Sequence, residues 1–306
     1  MVDYATGEPF TFGGLESQDS TYEKSEIAVL PIPYEGTTSF GAGTRNGPHE
    51  IIKASRYLEL YDEELDSDVS EQGIHTLPAV QTIVSSPADM VEEIYKAAKH
   101  VLSDDKFLIS LGGEHTITPP LVKAHLERHP DLTVLQIDAH GDLRESYEGS
   151  EYSHACAMRR VLELTTAVQV GIRSLSSAEM EALPSLPTKV FFAHEIQGDP
   201  EWFHKVVGAL DDAPVYVTVD LDGLDPSVMP AVGTPEPGGL GWYQVCDLLK
   251  ELSLKREVVG FDVNELAPIP GLAAPNFLAA KLVYKMLGYI SEYSSTRVLG
   301  YSRRTT

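Results

Sequence analysis

Cysteine is scarce in this chain: Cys156 and Cys246 are the only two among 306 residues. That excludes a disulfide framework and fits a reducing compartment, so the expected location is the cytoplasm. Basic residues are scarce as well. Lys and Arg number 23 against 46 Asp and Glu, a formal charge of −23. No basic cluster is available to neutralise a phosphate backbone, and nucleic acid is not an expected partner. No apolar run approaches the length of a membrane span. Residues 1–14 lack a basic stretch followed by an apolar one, so no secretory signal is expected. Linker-like Pro/Gly/Ser tracts and internal repeats are missing too. With 42% hydrophobic and 23% charged residues, the chain has ample material for one large core. It reads as a single domain over 1–306, with residues 1–25, polar and aromatic without periodicity, as an N-terminal arm. The negative charge suits a cationic substrate, and solubility explains it at least as well.

What the chain does contain is a repeated alternation. Short apolar runs at 27–31, 107–111, 133–137, 167–171, 189–193, 215–219 and 257–263 read as strands. Between them, amphipathic stretches at 48–61, 87–102, 118–129, 152–164, 177–183, 201–210, 240–252 and 275–289 read as helices. Pro48 opens the first, with Ile51, Ile52, Ala54, Ser55 and Leu58 on one face, and Ser86 caps the second. Strands alternating with helices, without hairpin signals, indicate an α/β fold of three α/β/α layers around a mostly parallel sheet. A glycine-rich loop at 34–48 lacks the Gly-Lys-Ser/Thr ending of a phosphate loop, so nucleotide binding is not expected. Its length makes it a candidate mouth for a pocket.

Three of the strand-like runs end in side chains able to bind metal. Residues 133–137 lead into Asp138-Ala139-His140-Gly141-Asp142, residues 215–219 into Asp220-Leu221-Asp222, and residues 107–111 into Gly112-Gly113-Glu114-His115. The carboxyl edge of an open α/β sheet is where ligands bind. Any one of these residues alone is better explained as a turn, cap or satisfied polar group. Together, Asp138, Asp142, Asp220 and Asp222 would set four carboxylates on one edge, where they repel without cations. Two divalent ions balance them, and His115 and His140 complete two shells. Oxygen-rich donors with two imidazoles favour Mn²⁺ over Zn²⁺, disfavour Ca²⁺ and Mg²⁺, and leave Ni²⁺, Co²⁺ and Fe²⁺ open. Two ions ~3.5–4 Å apart would activate water at neutral pH.

These motifs, with Asp220-Leu221-Asp222-Gly223-Leu224-Asp225-Pro226 and its continuation Gly233-Thr234-Pro235-Glu236-Pro237-Gly238-Gly239, resemble the signatures of the ureohydrolases, the arginase and agmatinase family. The resemblance covers about residues 27–290. It implies an arginase/deacetylase-like fold, two Mn²⁺ per chain and hydrolysis of guanidino groups to urea. By resemblance, His115, Asp138, Asp142 and Asp220 hold one ion, and Asp138, His140, Asp220 and Asp222 the other, with Asp138 and Asp220 bridging. Tyr152-Ser153-His154-Ala155-Cys156-Ala157-Met158 resembles the proton-shuttle segment and makes His154 the general acid/base; read alone, His154 is a surface residue at a helix start. Glu265 matches the carboxylate that orients the guanidinium, where a bidentate acceptor suits the planar cation. Asp142 would also pass a proton to the leaving amine. Glu114 departs from the Asp usual in the family, and Ala231 from a common Gly. Both stand beside the ligand set.

Within the family, Ala155, Cys156 and Ala157 resemble agmatinases, since arginases present polar residues there. The expected substrate is agmatine, cleaved to putrescine and urea, with Glu145, Glu148 and Glu151 suiting its terminal amine. Aminopropylagmatine, guanidinobutyrate, arginine and guanidine are the alternatives; Arg159 or Arg160 could meet a carboxylate, but a helix face suits them better, and only one could easily point at the site. The family also implies a homo-oligomer, trimer or hexamer. A single-zinc deacetylase is disfavoured by the full two-metal set, and a non-catalytic relative by the absence of any lost ligand. A thiol nucleophile at Cys156 ranks low, because small buried cysteines are usually packing.

Overall fold

A computed structural model describes the chain over residues 9–16 and 20–293. Its strands are β1 (Ile27–Ile32), β2 (Tyr61–Asp62), β3 (Ser67–Asp68), β4 (Ile74–Thr76), β5 (Phe107–Gly112), β6 (Thr133–Ile137), β7 (Ala167–Ile172), β8 (Thr188–Phe192), β9 (Val215–Asp220) and β10 (Val258–Asn264). Eight of them form one sheet in the order β4-β1-β5-β10-β9-β6-β7-β8. Every pairing in it is parallel. β2 and β3 form a separate antiparallel ribbon.

The two faces are covered because the strand residues alternate. Ile27, Val29, Ile109, Val217 and Val263 join one apolar cluster, against the helices Gly47–Ser55, Trp202–Val207, Trp242–Lys255 and Ala274–Tyr293. Their neighbours Ala28, Leu30, Leu108 and Tyr216 join the other, against Pro87–Ser103, Thr118–Leu126 and Ala157–Val161. A strand buried on both faces reads as a continuous apolar run. The three-layer expectation holds, as does the Ser86 cap, which accepts from Asp89 N at 3.1 Å.

Several boundaries differ. The helix expected over 48–61 stops at Ser55, whose hydroxyl donates back to Ile52 O at 2.7 Å and accepts Gly13 N at 2.9 Å. Tyr61 then pairs with Asp68 in the ribbon. The helix expected over 152–164 is a single 3₁₀ turn (His154–Cys156) and a short helix (Ala157–Val161). Edge strand β4 gave no sequence signal, because three residues are too few for a period. Of the expected arm, residues 1–8 and 17–19 lie outside the described residues. Phe12 is fully buried, and its N–H donates to Thr76 Oγ1 at 2.8 Å. Among the described residues no helix is long and apolar enough to cross a membrane.

The strand order places the ligand-bearing turns. The chain lays β5 and β6 with a gap of two strands between them, and β9 and β10 fill it later. The four central strands are thus β5, β10, β9 and β6, and the ligand-bearing turns all follow members of this set.

Candidate metal centre and its cavity

Register brings the acids side by side. Ile137 pairs with Val219, and Asn264 with Asp220. Asp138 and Asp220 therefore emerge together at the carboxyl edge. Each carboxylate folds its own turn: Asp138 Oδ1 accepts His140 N at 2.6 Å, and Asp220 Oδ1 accepts Asp222 N at 2.9 Å. Such turns keep side chains two apart on the same edge. Asp222 Oδ1 accepts Ala139 N at 3.1 Å and joins the two turns. Gly223 lets them approach, since a Cβ there would stand 2.8 Å from Asp138 N. Gly113 is equally constrained, because a Cβ on it would collide with the Tyr34 carbonyl.

The six expected ligands converge. His115 Nδ1 lies 3.0 Å from Asp142 Oδ2, 3.2 Å from Asp138 Oδ2 and 3.5 Å from Asp220 Oδ2. His140 Nδ1 lies 3.0 Å from Asp222 Oδ2 and 3.7 Å from Asp138 Oδ1. Among the described residues, His115, Asp138 and Asp220 form one set whose donor atoms all lie within 4.8 Å, and Asp138, His140 and Asp222 another. Asp138 is common to both.

The back of His115 decides its front. Its Nε2 is 2.9 Å from Thr218 Oγ1, and that hydroxyl gives its proton to Asp262 Oδ1 at 2.6 Å. Thr218 therefore accepts from Nε2–H, and in the neutral ring Nδ1 is a bare lone pair. It is buried without a hydrogen-bond partner and faces three carboxylates. A lone pair among anionic oxygens requires a cation or a proton between them, so the donor set fits divalent ions.

The electrostatics of the cluster agree. Burial alone would lower His115, yet Asp138 and Asp142 hold it well above the ordinary imidazole range. His140 is likewise opposed by burial but pushed up to about 12 by Asp138 and Asp222. Burial, then the charges of Asp222 and Asp138, raise Asp220 well above the carboxylate range. Asp142 is raised by burial and Asp138. Asp138 goes the other way: burial opposes its charge, but His115 and His140 outweigh it.

Glu265 follows β10, donates its N–H to Gly113 O at 2.8 Å and accepts His115 N on Oε1 at 2.7 Å. Burial and then Glu114 hold its carboxyl well above the ordinary range. Asp142 (φ 53°) and Glu265 (φ 66°) both occupy the left-handed region. That backbone is strained for a residue with a Cβ, and such strain concentrates at functional sites.

His140, Asp142, Asp220, Asp222 and Glu265 line a cavity of about 220 Å³, together with Ser39, Arg144, Tyr147, His154, Leu175 and Glu179 among others. His154 is there as expected, and the glycine-rich loop contributes Ser39 to the mouth. Sequence reading missed Arg144 and Glu179. The guanidinium of Arg144 stacks 4.9 Å over the Tyr147 ring and stands 3.9 Å from Glu179. Glu179 accepts Ser176 N at 2.8 Å and Leu143 N at 3.0 Å. Its one sequence signal was the Ser176…Glu179 capping box. Leu175 also lines a wider open groove of about 970 Å³, beside Phe192, Glu195 and Asp225.

The expectation for the acidic loop changes, and two readings ranked low in the sequence fall away. Arg159 pairs with Glu145, and Arg160 with Glu145, Glu151 and Glu163. Neither arginine lines the cavity, and neither do Glu145, Glu148 or Glu151, because the helix and the acidic loop neutralise each other. Cys156 is fully buried, and burial pushes its thiol up to about 11, which leaves it no nucleophile.

The pattern described as the arginase family matches residues 25–288. An N(1)-aminopropylagmatine ureohydrolase of Synechocystis sp. is 41% identical over 286 residues, covering 91% of this chain and 94% of that protein. An agmatinase of Pyrococcus horikoshii is 35% identical, covering 86% and 92%. The crystal structure of an agmatine ureohydrolase of Thermoplasma volcanium superposes with a TM-score of 0.80 at 32% identity, over 90% of this chain and 94% of that one.

Proposed function

Since the chain belongs to the arginase family and is a ureohydrolase, a hydrolase of guanidino C–N bonds, we propose that its substrate is an amine-terminated alkylguanidine, with N1-aminopropylagmatine ahead of agmatine. The observation that carries this reading is the cavity wall. Beside the metal-ligand set it holds the acidic side chains of Glu265 and Glu179, the latter 3.9 Å from Arg144, and the Ala155–Ala157 stretch supplies no polar side chain for an α-carboxylate. Its relation at 41% identity to a protein named for aminopropylagmatine, against 35% for one named for agmatine, favours the longer substrate. Leu175 lines both the cavity and the open groove of about 970 Å³, a volume that would take a further aminopropyl arm.

We propose that His115, Asp138, Asp142 and Asp220 hold one divalent ion and Asp138, His140, Asp220 and Asp222 the other, both manganese. Bound there, the ions supply a water-derived nucleophile at neutral pH. The chain's own groups do the rest. Glu265 accepts guanidinium N–H groups and orients the carbon. His154 exchanges protons from the cavity wall, and Asp142 passes a proton to the departing amine nitrogen. In balance, a water oxygen bonds to the guanidinium carbon, the bond from that carbon to the alkyl-bearing nitrogen breaks, and protons from the water pass to the departing nitrogen. Urea and the free amine leave.

Urea release from aminopropylagmatine, agmatine, arginine, 4-guanidinobutyrate and guanidine, under one manganese condition, tests the proposal. Arginine adds a carboxylate, and the guanidinium on the cavity wall, Arg144, already stands 3.9 Å from Glu179, so burying that second charge is unfavourable. Selectivity against it, as kcat/KM, should exceed the roughly 10–200-fold of a methylene-sized difference. Aminopropylagmatine should lead. If arginine or guanidinobutyrate leads, the amine-end reading fails and Arg144, on the cavity wall, becomes the carboxylate anchor.

A further inference from the structure

The ring of His154 is held mainly from outside its own element. Its backbone N–H donates to Thr37 Oγ1 at 2.9 Å, its Nδ1 stands 3.3 Å from that same oxygen, and its Nε2 is 3.3 Å from Ser39 Oγ. Ser153 Oγ is farther, at 3.5 Å from Nδ1. Thr37 is itself held by Glu114. The Oε2 atom of Glu114 accepts Gly36 N at 2.8 Å and Thr37 N at 2.7 Å, while Oε1 accepts Thr37 Oγ1 at 2.7 Å and Thr116 Oγ1 at 2.8 Å. Four donors fill the four acceptor positions of a carboxylate.

Proton counting then fixes the histidine. A hydroxyl carries one proton, and the proton of Thr37 goes to Glu114. Toward His154, Thr37 Oγ1 can only accept. The nitrogen facing it must carry hydrogen, and in the neutral ring Nε2 is then the basic atom. His154 lines the cavity, where the basic atom is useful. We propose that Glu114, acting through Thr37, is a positioning residue that holds His154 in its Nδ1–H tautomer. This rests on the reading of His154 as a proton carrier. It also gives the Glu at position 114 a role. Its side chain reaches from the end of β5 to two backbone amides of the glycine-rich loop and sets the hydroxyl that orients the ring.

The test is a mutant cycle in manganese-loaded enzyme with its best substrate. His154→Asn should lower kcat by about 10²–10⁴-fold. Thr37→Val should lower kcat by about tenfold or more within that range, with KM and bound metal near wild type. Thr37→Ser should restore it, and Thr37→Val should cost nothing further on top of His154→Asn. ¹⁵N-histidine spectra, with a diamagnetic divalent ion bound, should show His154 protonated at Nδ1. In Glu114→Gln the amide would donate to Thr37 and free its hydroxyl proton for Nδ1, so the tautomer should switch to Nε2–H. Full activity in Thr37→Val beside an impaired His154→Asn, or an Nε2–H tautomer in the wild type, overturns the relay. Full activity in His154→Asn overturns instead the role given to His154, and the ¹⁵N spectra still judge the tautomer.

Discussion

Asp220 occupies a position where its charge is opposed first by burial and then by Asp222 and Asp138. Such a carboxyl stays ionised only with a cation close by. Asp220→Asn removes the charge but keeps an oxygen able to accept Asp222 N, a bond of 2.9 Å in the wild type. The metal-free variant should therefore fold with a stability close to wild type, while manganese-loaded protein should lose most of its two ions per chain. Elemental analysis after gel filtration, beside a denaturant curve of the metal-free protein, reads both. Two ions still bound in the variant would remove Asp220 from the ligand set.

At the scale of elements, the turn that carries the candidate ligand Asp222 is tied to β7 and to the proline-rich loop by one side chain. Arg173, just after β7, donates from Nη2 to Asp222 O at 2.7 Å and Glu236 O at 2.7 Å, from Nη1 to Gly171 O at 3.0 Å and Gly223 O at 3.3 Å, and from Nε to Pro237 O at 3.1 Å. A planar fork of five donors suits this ring of carbonyls. Lysine has the charge without the fork. Arg173→Lys should leave carbonyls unsatisfied, a loss of about 1–3 kcal/mol, and weaken metal binding by loosening the Asp222 turn. Chemical denaturation and a manganese titration check the two effects. Unchanged values in both would show that the loop holds its shape without the arginine.

For the whole molecule the measurable quantity is the free energy of unfolding, and one buried histidine should shape its pH dependence. His125 is fully buried in the Thr118–Leu126 helix, 4.7 Å from the Tyr216 ring, and Nδ1 is 2.8 Å from Leu121 O. Burial lowers its pKa to about 4, with His129 and Arg128 adding to the effect. In the unfolded chain the value returns to about 6.5. Between these values the unfolded state binds more protons, so its share of the stability is complete above pH ~6.5 and lost as pH falls toward 4. The full loss is on the order of 3 kcal/mol. His125→Gln should flatten the pH–stability curve over this window, whatever it does to absolute stability. Equal slopes for the two proteins from urea curves at stepped pH would sink the assignment.

The sequence by itself determined the elements and the donor chemistry. Runs such as Val215–Asp220 are apolar on both faces because parallel strands are covered twice. The Asp138, His140 and Asp220, Asp222 spacings follow from turns that Asp138 and Asp220 make with their own backbone. Both are local, so they show in the order of residues, and the resemblance carried His115, His154 and Glu265 to the same edge. What only the tertiary structure decided is which neighbours meet. Arg159 and Arg160 are consumed by the acidic loop, while Arg144 and Glu179 reach the cavity. Glu114 closes on Thr37 across 77 positions of sequence. In the neutral ring the Nδ1 of His115 is bare because Thr218, 103 positions away, gives its proton to Asp262. The His115–Thr218–Asp262 chain depends on β9 and β10 entering the gap between β5 and β6. A long-range insertion leaves no periodic trace in the chain, since its physical basis is register and proton direction rather than spacing.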